Sequence, residues 1–353
     1  MTTATGNSLS GAVEGSLSLT SSQSMQGDAT AVTTLTADGS AGAPVTLLTE
    51  AVGNTGDAGA YGADMTADVT QTVGAVEITA RTDVSAPLGS MPAGGAISAT
   101  AIANSQAFGL SDGGTAAMSV TQSSAALTQA DVEAVVQYIP DGAVFSAAAT
   151  TNNVSSAGFS GTTQAVTVDQ TMSGPRTQAS TYVAAGNAWE IQGSTAAVAN
   201  NVALTNEDGA LEVETTQSNT GLVYSDAVVE AYDFGLASSQ AYGVGNSVLA
   251  GNAGQYVEVD NSQFNSGGVE AVSVFNGNAG YDAYSSSVAM GNAVTGYACS
   301  ECQGRLIANS TQVNTGGVSS TSAVTVTGSA RSIVGTSTAV GNSASFWVTS
   351  PGG

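Results

Sequence analysis

Two short markers recur along the chain at a shared period, and this repeat constrains the fold more than any other feature of the sequence. The first marker is a Gln at the end of a short alternating run, as in VTQTVG, VDQTMSG and TTQSNTG. The second is an Asn that follows a run of small residues, as in EAVGN, AAVAN and VAMGN. A fixed period of roughly 20 to 50 residues is typical of proteins built from stacked structural repeats.

Both markers keep their spacing over the whole chain. The glutamines are Gln23, Gln71, Gln122, Gln170, Gln217, Gln263 and Gln312. The asparagines are Asn7, Asn54, Asn104, Asn153, Asn200, Asn246, Asn292 and Asn342. Neighbours within either series lie 46 to 51 residues apart, and each Gln follows its Asn by 16 to 20 residues. Two independent markers that stay in step in this way indicate a repeat of about 48 residues.

The residues before each Gln alternate in character, as in the run from Leu211 to Gln217. Leu211 and Val213 fall on one face of that run, and Glu212 and Glu214 fall on the other. A period of two is typical of a β-strand with one buried and one solvated face. Strands that return to one place in every repeat predict an all-β fold, a parallel β-solenoid (β-helix) of seven to eight units with coils stacked about 4.8 Å apart.

We expect one solenoid domain over residues 1–353, with a small loop insertion around residues 296–305, where the interval between Asn and Gln is longest. Stacked inward glutamines would form a structural amide ladder, in which each side-chain carbonyl accepts a hydrogen bond from the next amide. The Gly-Asn steps would be corners, because Gly and Asn tolerate positive φ. The period leaves open whether a repeat forms one broad coil or two narrow ones.

Charge and composition exclude several classes of function. The chain has 27 acidic residues, four basic ones and no histidine, so its formal net charge is −23. Such a chain repels nucleic acid and anionic lipid surfaces. Without histidine it lacks the triads and imidazole metal sites of many enzymes, and no apolar run is long enough for direct membrane insertion. We therefore expect a structural protein with no catalytic residues, no nucleic-acid partner and no metal.

The Q-x-N-x-G pattern at Gln217, Gln263 and Gln312, with the Gly-Asn corners, resembles that of the curlin-like bacterial surface fibre proteins. Within that group, the small-residue richness and acidity are most similar to the family of the holdfast anchor protein D of stalked bacteria. The resemblance implies an extracellular, outer-membrane-associated protein that forms fibres and holds adhesive polysaccharide at the cell surface. Its implied partners are other copies of itself, related fibre or anchor subunits, and an outer-membrane secretion or anchor protein.

Markers close to both ends of the sequence leave no room for an evident capping segment. We therefore expect each end to stack head to tail on another chain, which would produce filaments.

Several side chains permit sharper hypotheses. Cys299 and Cys302 could form a local disulfide in an exported protein, remain an idle thiol pair, or take a metal or redox role. Tyr281 and Tyr284 could contact glycan through their ring faces or simply fill a buried column.

The outward acids leave two other functions open. They are Asp68, Asp169, Glu212, Glu214, Glu258 and Asp260. Calcium, which accepts carboxylate ligands, would make the chain a monomeric calcium-dependent surface adhesin; otherwise we expect no cofactor. Alternatively, paired acids such as Glu212 and Glu214 could serve a solenoid glycan-processing enzyme, such as a tail-spike-type hydrolase.

Overall fold

The computed structural model describes residues 1–254, 256–299 and 304–349, and within them it contains β-strands and no helix. No helix in that part of the chain is therefore long and apolar enough to cross a membrane. The strands, in chain order, are β1 (Thr2–Glu14), β2 (Leu17–Met25), β3 (Ala29–Thr36), β4 (Val45–Tyr61), β5 (Met65–Val73), β6 (Glu77–Ser90), β7 (Gly95–Ser111), β8 (Thr115–Ser124), β9 (Leu127–Gly158), β10 (Thr163–Met172), β11 (Arg176–Asn206), β12 (Ala210–Asn219), β13 (Leu222–Asn252), β14 (Tyr256–Asn265), β15 (Val269–Cys299), β16 (Arg305–Asn314), β17 (Val318–Val326) and β18 (Ser332–Thr349).

Every strand pair is parallel, and each joins a segment to its equivalent one repeat away. Gln170 pairs with Gln217, and Asn200 pairs with Asn246, in neighbouring coils. No strand pair among the described residues joins positions half a repeat apart. The predicted parallel β-solenoid is confirmed, and each repeat forms one broad coil. Seven steps of about 4.8 Å give a rod of roughly 35 Å.

Each coil has three sides, which we name by their marker residues. The asparagine face consists of β1, β4, β7, the second halves of β9, β11, β13 and β15, and β18. The glutamine face consists of β2, β5, β8, β10, β12, β14 and β16. The third face consists of β3, β6, the first halves of β9, β11, β13 and β15, and β17.

The interior is filled by small aliphatic side chains, because strand alternation sends every second residue inward. One cluster, which includes Ile97, Phe145 and Phe275, packs the third face against the first part of the asparagine face. A second, which includes Val120, Val213 and Val259, packs the glutamine face against the rest of the asparagine face. Alanine and valine dominate both clusters, so facing backbones come close together.

The Gly-Asn steps bend the chain in a different way from the one predicted. Four consecutive residues, Ala51 to Asn54, are buried, so the inward–outward alternation is interrupted there. None of the marker asparagines has positive φ, and the prediction that they do is wrong. Left-handed residues such as Asp112, Ser160 and Asp208 lie instead in the turns from the asparagine face to the glutamine face. At the marker asparagines the backbone stays extended, and side-chain hydrogen bonds across the coil hold the bend.

The predicted insertion around residues 296–305 includes residues 300–303, which lie outside the described residues. Residues 296–299 continue β15 and pair with β18, with Gly296 opposite Phe346. Arg305 already pairs with Tyr256 of the coil before.

Candidate functional site

A column of glutamine side chains runs along the inside of the glutamine face. The Nε2 group of each Gln from Gln71 to Gln312 donates a hydrogen bond to Oε1 of the Gln in the coil before, at 2.7–2.9 Å. Gln71, Gln122, Gln170, Gln217 and Gln263 are buried, and Gln23 and Gln312 occupy the first and last coils of this face. Each internal amide thus has a partner above and below, which offsets the cost of burying it.

The asparagine face carries a second column, and one of its members differs from the prediction. The bonded residues are Asn7, Asn54, Asn104, Asn152, Asn200, Asn246, Asn292 and Asn342, with Nδ2 to Oδ1 distances of 2.7–2.9 Å. Asn152 takes the place assigned to Asn153. Asn153 points to the other side of the strand, where it accepts a hydrogen bond from Asn201.

The two columns are tied to each other's strands across the coil. Asn200 Nδ2 donates a second hydrogen bond to the carbonyl of Ser218, the residue after Gln217. Gln217 Nε2 in turn donates to the carbonyl of Ser247, the residue after Asn246. The same pair of bonds recurs from coil to coil, for example at Asn104 and Gln122. These bonds fix the distance between two faces of the solenoid.

The two columns have opposite polarity. Gln217 donates toward the N-terminal end of the rod, to Gln170, whereas Asn200 donates toward the C-terminal end, to Asn246. The columns lie side by side, so their amide dipoles point in opposite directions. On the side that faces the N-terminal end of the rod, a coil therefore presents a glutamine N–H donor and an asparagine carbonyl acceptor. On the side that faces the C-terminal end, it presents an asparagine N–H donor and a glutamine carbonyl acceptor.

Sequence reasoning missed a third, shorter amide column. Asn219 donates to Asn265 at 2.8 Å, and Asn265 donates to Asn314 at 2.6 Å. The signal was present in the Q-x-N-x-G pattern, in which the Asn lies two residues after the Gln and on the same side of the strand.

The cysteine prediction falls partly outside the described residues. Cys299 ends β15 and is disulfide-bonded. Cys302, its predicted partner, lies outside the described residues.

The outward acids form a cluster on the glutamine face. Glu212 pairs in register with Glu258, and Glu214 with Asp260, and these four side chains line one shallow depression. Asp68 and Asp169 lie on earlier strands of the same face. In the described part of the chain, no group of three or more acidic or cysteine side chains is placed to hold a metal ion. The arrangement is thus an exposed negative surface over about two coils.

The two tyrosines proposed as glycan contacts have different surroundings. Tyr281 is 52% exposed and lies at the corner between the third face and the asparagine face, where its ring meets Trp189 edge to face at 6.1 Å. Tyr284 lies farther along β15, on the open surface of the asparagine face, and does not line a cleft with Tyr281 in the described residues.

Trp189 is the residue at this corner that sequence reasoning overlooked. It is 61% exposed, and together with Tyr138 and Tyr281 it lines a cleft of about 530 Å³. A second cleft of about 330 Å³ lies on the other side of the Trp189–Tyr281 pair, next to Glu190 and Asp282. Arg331 donates to Asp282, which lowers the pKa of that carboxyl, and its guanidinium lies 5.6 Å from the Tyr281 ring centre.

Comparison with known proteins gives one match. A family model described as holdfast attachment protein D matches residues 1–268, about three quarters of the chain. No curated protein and no solved structure shows a significant match.

Proposed function

The chain belongs to the family of holdfast attachment protein D, and on this premise we propose that it is a fibre-forming anchor subunit that holds adhesive polysaccharide outside the cell. The family is one of holdfast-related surface proteins, which points to a structural role. We propose that its partners are other copies of itself, related fibre or anchor subunits, and an outer-membrane protein that secretes or anchors it.

The observation that carries the fibre-forming role is the polarity of the amide columns. The last described coil offers the Nδ2 group of Asn342 as donor and Oε1 of Gln312 as acceptor. The first coil offers Oδ1 of Asn7 as acceptor and Nε2 of Gln23 as donor. A further coil, from the same chain or from another subunit, continues both columns only in the same direction. Stacking of subunits would therefore proceed head to tail, which gives open filaments.

No observation on the described residues favours the two alternatives. A glycan-processing enzyme would need two acids converging in a cleft that excludes water, whereas the four acids of the glutamine face line an open surface. A calcium-dependent adhesin would need a ligand set for the ion, and the described residues provide none.

The substitution Asn342→Asp tests subunit stacking. An aspartate keeps the oxygen that accepts from Asn292 at 2.7 Å, so the internal column is retained. It removes the donor that would meet Oδ1 of Asn7 in the next subunit, together with a 3.4 Å hydrogen bond to the carbonyl of Gln312, and it sets a negative charge against Oδ1 of that Asn7. Ser345→Asp is the matched control, because it adds the same charge three residues further along the same strand, on the outward side.

The measurement is electron microscopy of the purified full chain, with circular dichroism to verify the fold. We expect filaments from the wild type and from Ser345→Asp, and separate rods from Asn342→Asp. Equal filament formation by all three proteins would contradict stacking through the amide columns.

A further inference from the structure

The corner between the third face and the asparagine face carries exposed aromatic rings that the packing of the solenoid does not use. Trp189 and Tyr281 stand at equivalent positions two coils apart, with Gly235 between them. Tyr138 contributes a third ring from the preceding coil, and it is 48% exposed. In a chain with 5% aromatic residues, three exposed rings around one cleft form a concentrated surface for stacking.

Gly235 makes the shape of this site possible. A Cβ at this position would lie 2.4 Å from the Trp189 carbonyl oxygen and 2.9 Å from Cε3 of its indole. With no side chain there, the indole leans over the backbone of the next coil and meets Tyr281 edge to face. The result is an aromatic ridge with a cleft on each side. The larger cleft, about 530 Å³, falls in the range of roughly 300–1,000 Å³ typical of small-molecule sites.

The charges around the ridge indicate the kind of ligand. Asp233 lies in the larger cleft, and Glu190 in the smaller one. The one arginine at this corner, Arg331, is already bonded to Asp282. The ion pairs of the described residues involve only Arg81 and Arg331, so neither Asp233 nor Glu190 is neutralised by one. A ligand that carries carboxylates would be repelled here, whereas hydroxyls or protonated amines would be accepted.

We propose that the clefts on either side of the Trp189–Tyr281 ridge bind sugar rings of a polysaccharide whose units are uncharged or bear protonated amines. The flat faces of Trp189 and Tyr281 stack on the apolar faces of the sugar rings, while Asn187, Asp233 and Glu190 receive their hydroxyls or amines. This inference rests on the proposed function of holding polysaccharide, and it assigns that function to one corner of the rod.

The site is tested by titrating the full chain with three hexasaccharides that differ in charge. Cellohexaose is neutral, hexaglucosamine is cationic and hexagalacturonate is anionic. Binding is followed by calorimetry and by the fluorescence of Trp189 in a Trp347→Phe background. We expect binding of the first two, a change in Trp189 emission, and at least tenfold weaker binding of the anionic hexamer at low salt.

Trp189→Ala and Tyr281→Ala should each weaken binding of cellohexaose by about fivefold or more, since an aromatic stacking partner is lost. Phe159→Ala is the control, because it removes an exposed ring at a different corner, and it should bind as the wild type does. Asp233→Asn should reduce the preference for hexaglucosamine over cellohexaose.

Two outcomes would refute the proposed sugar site. Filament formation, measured separately, shows whether the proposed fibre-forming function fails as well. Wild-type affinity in both Trp189→Ala and Tyr281→Ala would show that the ridge is not the contact. Absence of binding of all three hexamers to the wild type would refute the site as well. In either case, filaments that still form would leave the proposed fibre-forming role standing.

Discussion

Replacing a central glutamine by leucine should destabilise the solenoid far more than the same change on its surface. Gln217 is buried and makes three side-chain hydrogen bonds: it donates to Gln170 and to the carbonyl of Ser247, and it accepts from Gln263. Leucine has a similar volume, so Gln217→Leu leaves little cavity. It does orphan two amide groups of the column, Oε1 of Gln170 and one N–H of Gln263, and it removes the side-chain donor to the carbonyl of Ser247.

The magnitude follows from those two orphaned groups. A buried polar group that loses its partner costs about 1–3 kcal/mol, so Gln217→Leu should lower the free energy of unfolding by roughly 2–6 kcal/mol. Gln312→Leu, in the last coil of this face, orphans only one amide of the column, at Oε1 of Gln263, besides removing the side-chain donor to the carbonyl of Ser343, and should cost about half as much. The double variant Gln217→Leu, Gln263→Leu again orphans two amide groups of the column, Oε1 of Gln170 and one N–H of Gln312, and should therefore cost less than the sum of its single variants.

The assay is guanidinium chloride unfolding followed by circular dichroism, with midpoints compared at constant slope. Gln240→Leu is the matched control, because Gln240 is exposed on the asparagine face, and its midpoint should stay near that of the wild type. If Gln217→Leu and Gln240→Leu shifted the midpoint equally, the amide column would not be a source of stability.

Three further predictions concern backbone, charge and metal. Gly94→Ala should destabilise by more than about 1 kcal/mol, because Gly94 has positive φ and a Cβ there would meet a backbone carbonyl of the next coil at 1.9 Å. Gly62 also has positive φ, but a Cβ there would meet no atom, so Gly62→Ala should destabilise the protein less. Equal unfolding midpoints for Gly94→Ala and Gly62→Ala would refute the steric argument. Burial raises the pKa of Asp131 in the folded state above its unfolded value of about 4. The protonated carboxyl therefore contributes all of its stability below the unfolded pKa, and this contribution is lost as the pH rises through the folded pKa. Asp131→Asn should therefore raise the unfolding midpoint at pH 7, with the gain vanishing in acid. Hydrogen bonds from the backbone and side chain of Thr115 lower the pKa of Asp64, so Asp64→Asn should instead destabilise at pH 7; shifts of the same sign in both variants would contradict the assignment. Finally, we expect chelation by EDTA to leave the melting temperature unchanged, whereas a drop would support the calcium-dependent alternative.

The repeat and its inward amides were predictable from sequence because stacked coils require one residue type to recur at one period. Asn152 shows where that reasoning ends. Two adjacent asparagines follow Thr151, and both fit a period of about 48 residues. Which one faces inward depends on where the inward–outward alternation shifts, and this is set by packing against the neighbouring coils at Asn104 and Asn200. The adjacent Asn153 faces outward for the same reason.

The aromatic corner was harder to predict because the chain length at this corner differs between coils. The strand register shifts between Ala188 and Glu190, where Trp189 stands opposite two residues, Pro140 and Asp141. Such a bulge changes the direction of a side chain, and periodic alternation does not anticipate it. A usable signal was nonetheless present: Trp189, Gly235 and Tyr281 follow each other at steps of 46 residues.

The central claim is that segments one repeat apart lie directly on top of each other along a rod. The positions Thr20, Asp68, Ser119, Thr167, Glu214, Asp260 and Asn309 form one outward column of the glutamine face. Spin labels on Cys residues placed at Thr20 and at Glu214, Asp260 or Asn309 allow the distances to be measured by pulsed electron paramagnetic resonance. We predict about 19, 24 and 29 Å between the backbones, a constant step of about 4.8 Å per coil. Distances that do not rise in equal steps with the number of repeats would contradict the stacked solenoid.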